Sequence, residues 1–215
     1  MNIRKNILLA LSSGLLLGLP WSIPSLSCLI FIAWVPLLLL EEENRHHPNP
    51  YTIFNYAFVC FLLWNILGTW WIAQAQLLGA IAIIIANALV QALVFWSISR
   101  VRTSLNMPLA FPFLLIWMGY EYFHQAWDLA WPWLNLGNAL ATAPKLIQWY
   151  EFTGIRGGTL WIILTNCAVL KAWDIYRKRG LGAIVPVGGG LLLLILIPAF
   201  SSYLVFQNVE EDMLK

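Results

Sequence analysis

Apolar residues run along this chain in long, nearly unbroken stretches, and the polar residues collect between them. Seven such stretches stand out, at about 7–19, 26–40, 51–75, 77–98, 108–126, 158–176 and 181–206. A helix needs roughly 20 apolar residues to cross the hydrocarbon of a bilayer. The first two stretches fall short of this and are expected to form a hairpin of short or tilted helices, broken by Pro20 and Pro24. The third and fourth follow one another almost directly, as in a tight helical hairpin. Pro112 is a candidate kink in the fifth, and Gly188-Gly189-Gly190 with Pro186 and Pro198 predicts a bent, closely packed seventh. The pattern predicts an all-α fold, a polytopic membrane helix bundle of about seven transmembrane segments. On this reading residues 1–208 form the bundle and 209–215 a short outer-face tail.

Composition strengthens this picture. With 60% hydrophobic residues, 10% charged residues and 13 tryptophans in 215 positions, the chain has too little polar surface for a soluble globule. The basic residues are scattered near helix ends and form no stripe, so no nucleic-acid partner is expected. Cys28, Cys60 and Cys167 lie inside apolar runs and read as small buried hydrophobes. Arg4 and Lys5 before a short apolar run mimic a secretory signal. No small-x-small cleavage site follows, so the segment is expected to stay. Orientation follows from Lys and Arg. With the N-terminus in the cytoplasm, nine of the twelve lie on that side and only Lys145, Arg156 and Lys215 lie opposite. The C-terminus then falls on the outer face, together with Trp70, Trp71 and the loop around Trp131.

The polar positions carry the candidate chemistry. Glu41 to Pro50, with three glutamates, Arg45, His46 and His47, is expected to be a solvated loop without metal-ligand spacing. Asn65 needs a partner across a helix interface, and Asn87 and Gln91 share one inward helix face. The densest stretch runs from Trp117 to Gly158. Glu121, His124 and Asp128 fall within about 60° of one another on a helix, and an aromatic turn, Trp131-Pro132-Trp133, follows. Beyond it lies a polar loop with Gly137 and Gln148. Glu, His and Asp together could act as an acid and base pair or supply part of a metal site. Covalent catalysis by such a cluster also needs a nucleophile, and no Ser or Cys lies between Ser104 and Cys167. The preferred reading is therefore a structural or substrate-positioning polar cluster, with no catalytic residue, metal or cofactor assigned.

Trp117-x-x-x-Glu121, Pro132-Trp133-x-x-Leu136-Gly137, Pro144-x-Leu146-Ile147-Gln148 and Thr153-Gly154-x-x-Gly157 resemble the membrane portion of bacterial apolipoprotein N-acyltransferase. Gly18-Leu19-Pro20, Ala33-Trp34-Val35-Pro36-Leu37, Trp64-Asn65 and Thr69-Trp70-Trp71 extend the likeness along the whole chain. His124 departs from it, because many members carry arginine there. The resemblance implies a multi-pass protein of the bacterial inner membrane. It also implies an enzyme that moves an acyl chain from a phospholipid to the N-terminal diacylglyceryl-cysteine of a lipoprotein. The family's catalytic Glu, Lys and Cys belong to a nitrilase-like domain after the seventh span, and this sequence is expected to stop where that domain begins. Membrane phospholipid, a lipoprotein substrate and a separate nitrilase-like catalytic subunit are the partners so implied. Glu121, His124, Asp128, Trp131, Pro132, Trp133, Gly137 and Gln148 would line the lipid or substrate path or brace it. A stand-alone scaffold or lipid-binding protein without enzyme activity, and a small transporter, are the alternatives.

Overall fold

The computed structural model describes residues 2–128 and 130–213, with side-chain surroundings as far as Gln207. Among these residues every regular element is helical. They are α1 (Ile3–Ser22), α2 (Val35–Asn44), α3 (Thr52–Thr69), α4 (Leu77–Leu105), α5 (Ala110–His124), α6 (Tyr150–Arg179) and α7 (Val185–Met213), with short 3-10 turns between several of them. Four segments are long and apolar enough to cross a membrane, namely Pro24–Asn44, Thr52–Gln74, Leu77–Leu105 and Leu181–Gln207. The helix α5 has 15 residues and so rises only about 22 Å, less than a hydrocarbon core of roughly 30 Å. The side chains of the expected acidic tail, and residues 214–215 altogether, lie outside the described residues.

Element ends differ from the apolar pattern where polar residues join a helix. Pro20 sits inside α1, which runs on to Ser22. Proline costs a helix one N–H donor near its end and need not stop it there. The second segment breaks elsewhere, between a 3-10 stretch at Pro24–Phe31 and α2. That break leaves backbone groups unpaired within an apolar segment, where each would cost several kcal/mol. Other helices supply the missing bonds. Asn166 on α6 accepts from the Trp34 N–H at 2.9 Å and donates to the Ile30 carbonyl at 2.9 Å. Ser13 on α1 donates to the Ala33 carbonyl at 2.6 Å.

Around this break lies the aromatic centre of the core. Trp34, Phe61, Trp64, Phe95, Phe113 and Trp117 are fully buried, and the Trp34 ring meets Trp117 at 4.6 Å and Phe113 at 4.8 Å edge to face. Asn65 finds the interhelical partners it needs. Its Nδ2 donates to Gln91 Oε1 at 2.6 Å, and Asn87 Nδ2 donates to its Oδ1 at 2.6 Å. These bonds fix α3 to α4.

The expected solvated loop at Glu41 to Pro50 is corrected for its first residues. Glu41 is fully buried within α2. Arg102, near the end of α4, forms an ion pair with it, and the Ser99 hydroxyl donates to it at 2.8 Å. The apolar run ends at Leu40, but the helix continues because a guanidinium and a hydroxyl wait for the next carboxylate.

Candidate functional site

At the other end of the bundle α5 delivers Glu121, which is 2% exposed. Three elements satisfy its carboxylate. The Trp117 indole N–H, one turn back on α5, donates to Oε1 at 3.1 Å, and the backbone N–H of Leu136 donates to the same oxygen at 2.8 Å. The Thr159 hydroxyl on α6 donates to Oε2 at 2.6 Å. Thr159 also accepts from the Gly137 N–H at 3.2 Å. One side chain therefore ties α5, the loop at 135–140 and α6 together through neutral donors.

The loop needs glycine at 137. A Cβ there would run into the carbonyl and side chain of Ile155, and the Gly137 carbonyl accepts from Tyr150 Oη at 3.1 Å. Gly154, with φ 64° and ψ −171°, lets the chain turn into the long part of α6, a backbone conformation that glycine adopts readily. Gln148 is half-buried and donates from Nε2 to the Pro144 carbonyl at 2.9 Å, closing the second half of the loop.

The three residues expected to act together are separated. His124 is 4% exposed, yet both of its ring nitrogens lack a hydrogen-bond partner among the described residues, and Asp128 is exposed. Neither bonds to Glu121, whose partners are Trp117, Leu136 and Thr159. Helical spacing puts His124 beside Glu121, but Glu121 faces α6 while His124 stacks on Tyr120 at 5.0 Å between ring centroids. His124 lines a mostly apolar cavity of about 330 Å³ with Gly79, Ala82, Asn87, Trp127 and Trp131. The small residues on α4 leave its space open.

Trp131 lines this cavity, and Pro132 and Trp133 continue from it as an exposed aromatic rim. Trp133 is 55% exposed, its ring meets Trp71 at 5.6 Å, and its carbonyl accepts from the Trp21 indole at 2.9 Å. Pro132 is exposed and its carbonyl accepts from Asn138 Nδ2 at 3.0 Å. The result is an aromatic surface with a fixed backbone. A carboxylate satisfied by three donors braces this surface. Leu136 stands in the sequence only as part of a motif, and its backbone N–H leaves no side-chain signal; Thr159 and Asn166 were not singled out. A hydroxyl or amide inside an apolar helix was the available signal, the one that had marked Asn65.

The family model for the apolipoprotein N-acyltransferase N-terminal domain matches residues 13–168. An apolipoprotein N-acyltransferase of Chlorobaculum tepidum is 31% identical over 98% of this chain, and one of Geobacter metallireducens is 28% identical over 93%. In each case the chain spans 39% of the relative's length. No solved structure matches. The matched residues contain the Trp34 centre, the Glu121 clamp and the aromatic rim, and the chain belongs to the apolipoprotein N-acyltransferase family through its N-terminal domain.

Proposed function

We propose that this chain is the membrane domain of an apolipoprotein N-acyltransferase, supporting acyl transfer from phospholipid to the N-terminal diacylglyceryl-cysteine of lipoproteins. The family match over residues 13–168 carries the proposal. In this reading α1, α5 and α6 join the four long apolar segments to make about seven spans across the bacterial inner membrane. The N-terminus lies in the cytoplasm and the Trp131 loop on the outer face. The cavity beside His124 receives the polar part of an amphiphile, because two buried ring nitrogens without partners offer it hydrogen bonds. The exposed rings of Trp133 and Trp71 support chains arriving from the bilayer, as tryptophans at membrane interfaces do. Glu121 and Gly137 hold this surface in shape, and a nitrilase-like domain performs the covalent step.

Complementation tests this function. Cells depleted of their own N-acyltransferase receive this chain alone or with a separately expressed nitrilase-like domain, and N-terminal acylation of a reporter lipoprotein is read by mass spectrometry. Acylation that returns only with the pair supports a membrane domain that serves a nitrilase-like subunit. Acylation by this chain alone would move the chemistry to the Glu121 region. No acylation under either condition would leave the stand-alone scaffold or lipid-binding reading.

A further inference from the structure

A larger cavity, of about 540 Å³, opens at the end of the bundle opposite Glu121, between the end of α2, the start of α5 and the last turns of α6. Its floor is apolar, with Leu39, Leu109, Leu164, Cys167, Leu170 and Trp173. Its rim is charged, with Glu42, Glu43, Arg102, Lys171, Asp174 and Arg177. The rim carboxylates are already engaged. Glu42 pairs with Arg102 at 2.6 Å and Arg45 at 3.9 Å, Glu43 with Lys5 at 2.7 Å, and Asp174 with Lys178 at 2.8 Å. Lys171 and Arg177 form no ion pair among the described residues. Two positive charges are thus left uncompensated at the cavity mouth. Arg102 is only 7% exposed and its Nε has no partner. Pro108, Leu109 and Ala110 bring the positive end of α5 to the same wall.

We propose that this cavity binds the headgroup of an anionic phospholipid from the leaflet at that end of the bundle. The phosphodiester sits against Lys171, Arg177 and the start of α5, and the glycerol and upper acyl chains lie on the apolar floor. Charge selects an anionic lipid, because a zwitterionic headgroup would bring its own cation to a rim with no free carboxylate. The apolar floor selects a lipid over a soluble anion, since it offers the latter nothing but desolvation. Basic pockets between membrane helices commonly hold such headgroups. The site lies away from the aromatic rim and stands or falls independently of acyl transfer.

Native mass spectrometry of the full chain, purified in mild detergent and stripped of lipid, tests the site. Phosphatidylglycerol and phosphatidylcholine with matched acyl chains are the probes. Phosphatidylglycerol should bind at about thirtyfold lower concentration than phosphatidylcholine, the scale expected of about two interfacial cations. The double substitution Lys171→Gln with Arg177→Gln should abolish that preference. Each single substitution should reduce it about fivefold, and Lys145→Gln, which removes a cation that does not line the cavity, should leave it intact. Equal binding of the two lipids to the unaltered chain, or an unchanged preference in the folded double variant, overturns the proposal. So does complete displacement of phosphatidylglycerol by millimolar inorganic phosphate, which would make this a free-anion site.

Discussion

Two buried glutamates sit at opposite ends of this bundle, and they are held differently. Glu41 faces a guanidinium and a hydroxyl, so its charge is answered by charge. Glu121 receives an indole N–H, a backbone N–H and a threonine hydroxyl, all neutral. The first arrangement locks two helices, whereas the second fixes a loop on two helices and presents that loop's aromatic rim. Buried charge serves packing at one end and shape at the other.

Substitutions sharpen that contrast. The largest loss is expected for Glu41→Ala, about 3 kcal/mol, because it leaves the Arg102 cation buried with Glu42 as its remaining acid. Thermal unfolding in detergent measures it, and Glu41→Leu combined with Arg102→Leu should recover most of the loss. An equal loss in the double variant would break the assignment. Glu121→Ala follows at about 2 kcal/mol, the scale of a hydrogen-bonded charged group. Glu121→Gln should cost less than about 1 kcal/mol, since an amide oxygen still accepts from Trp117 and Leu136 and the Thr159 hydroxyl can accept from the amide. A glutamine as damaging as alanine would show that the charge itself is needed. Gly137→Ala should cost about 1–2 kcal/mol through the clash with Ile155. Trp133→Ala should change stability by less than about 0.5 kcal/mol, as exposed substitutions do. It should nevertheless lower reporter acylation in the complementation assay, and unchanged acylation would remove Trp133 from the lipid path.

The apolar pattern located each of the long helices, because period and length are local properties. It also led to Asn65, Asn87 and Gln91, whose polarity stands out against apolar neighbours. It failed at Glu41, where the run of three glutamates resembled a solvated loop and the compensating Arg102 lies 61 positions away. It failed again at Glu121, where helical spacing suggested His124 and Asp128 as partners. Its donors are the Trp117 indole one turn back, a loop N–H and Thr159, and of these the first alone lies at helical spacing from it. Resemblance to a family placed the motifs in order along the chain, and packing then showed which of them hold one another.

The Asn166 bonds to the second segment have a consequence in time. Trp34 and Asn166 are separated by 132 positions, which a ribosome takes on the order of ten seconds to translate. Until Asn166 emerges, the Trp34 N–H and the Ile30 carbonyl lack their permanent partner and only the Ser13 bond to Ala33 is in place, so the early helices remain provisional while the later ones are made. A nascent chain arrested before residue 166 should accordingly exchange its backbone amide hydrogens near Trp34 faster than one arrested well beyond it. The fold is sealed by the sixth helix, long after the residues it seals have entered the bilayer.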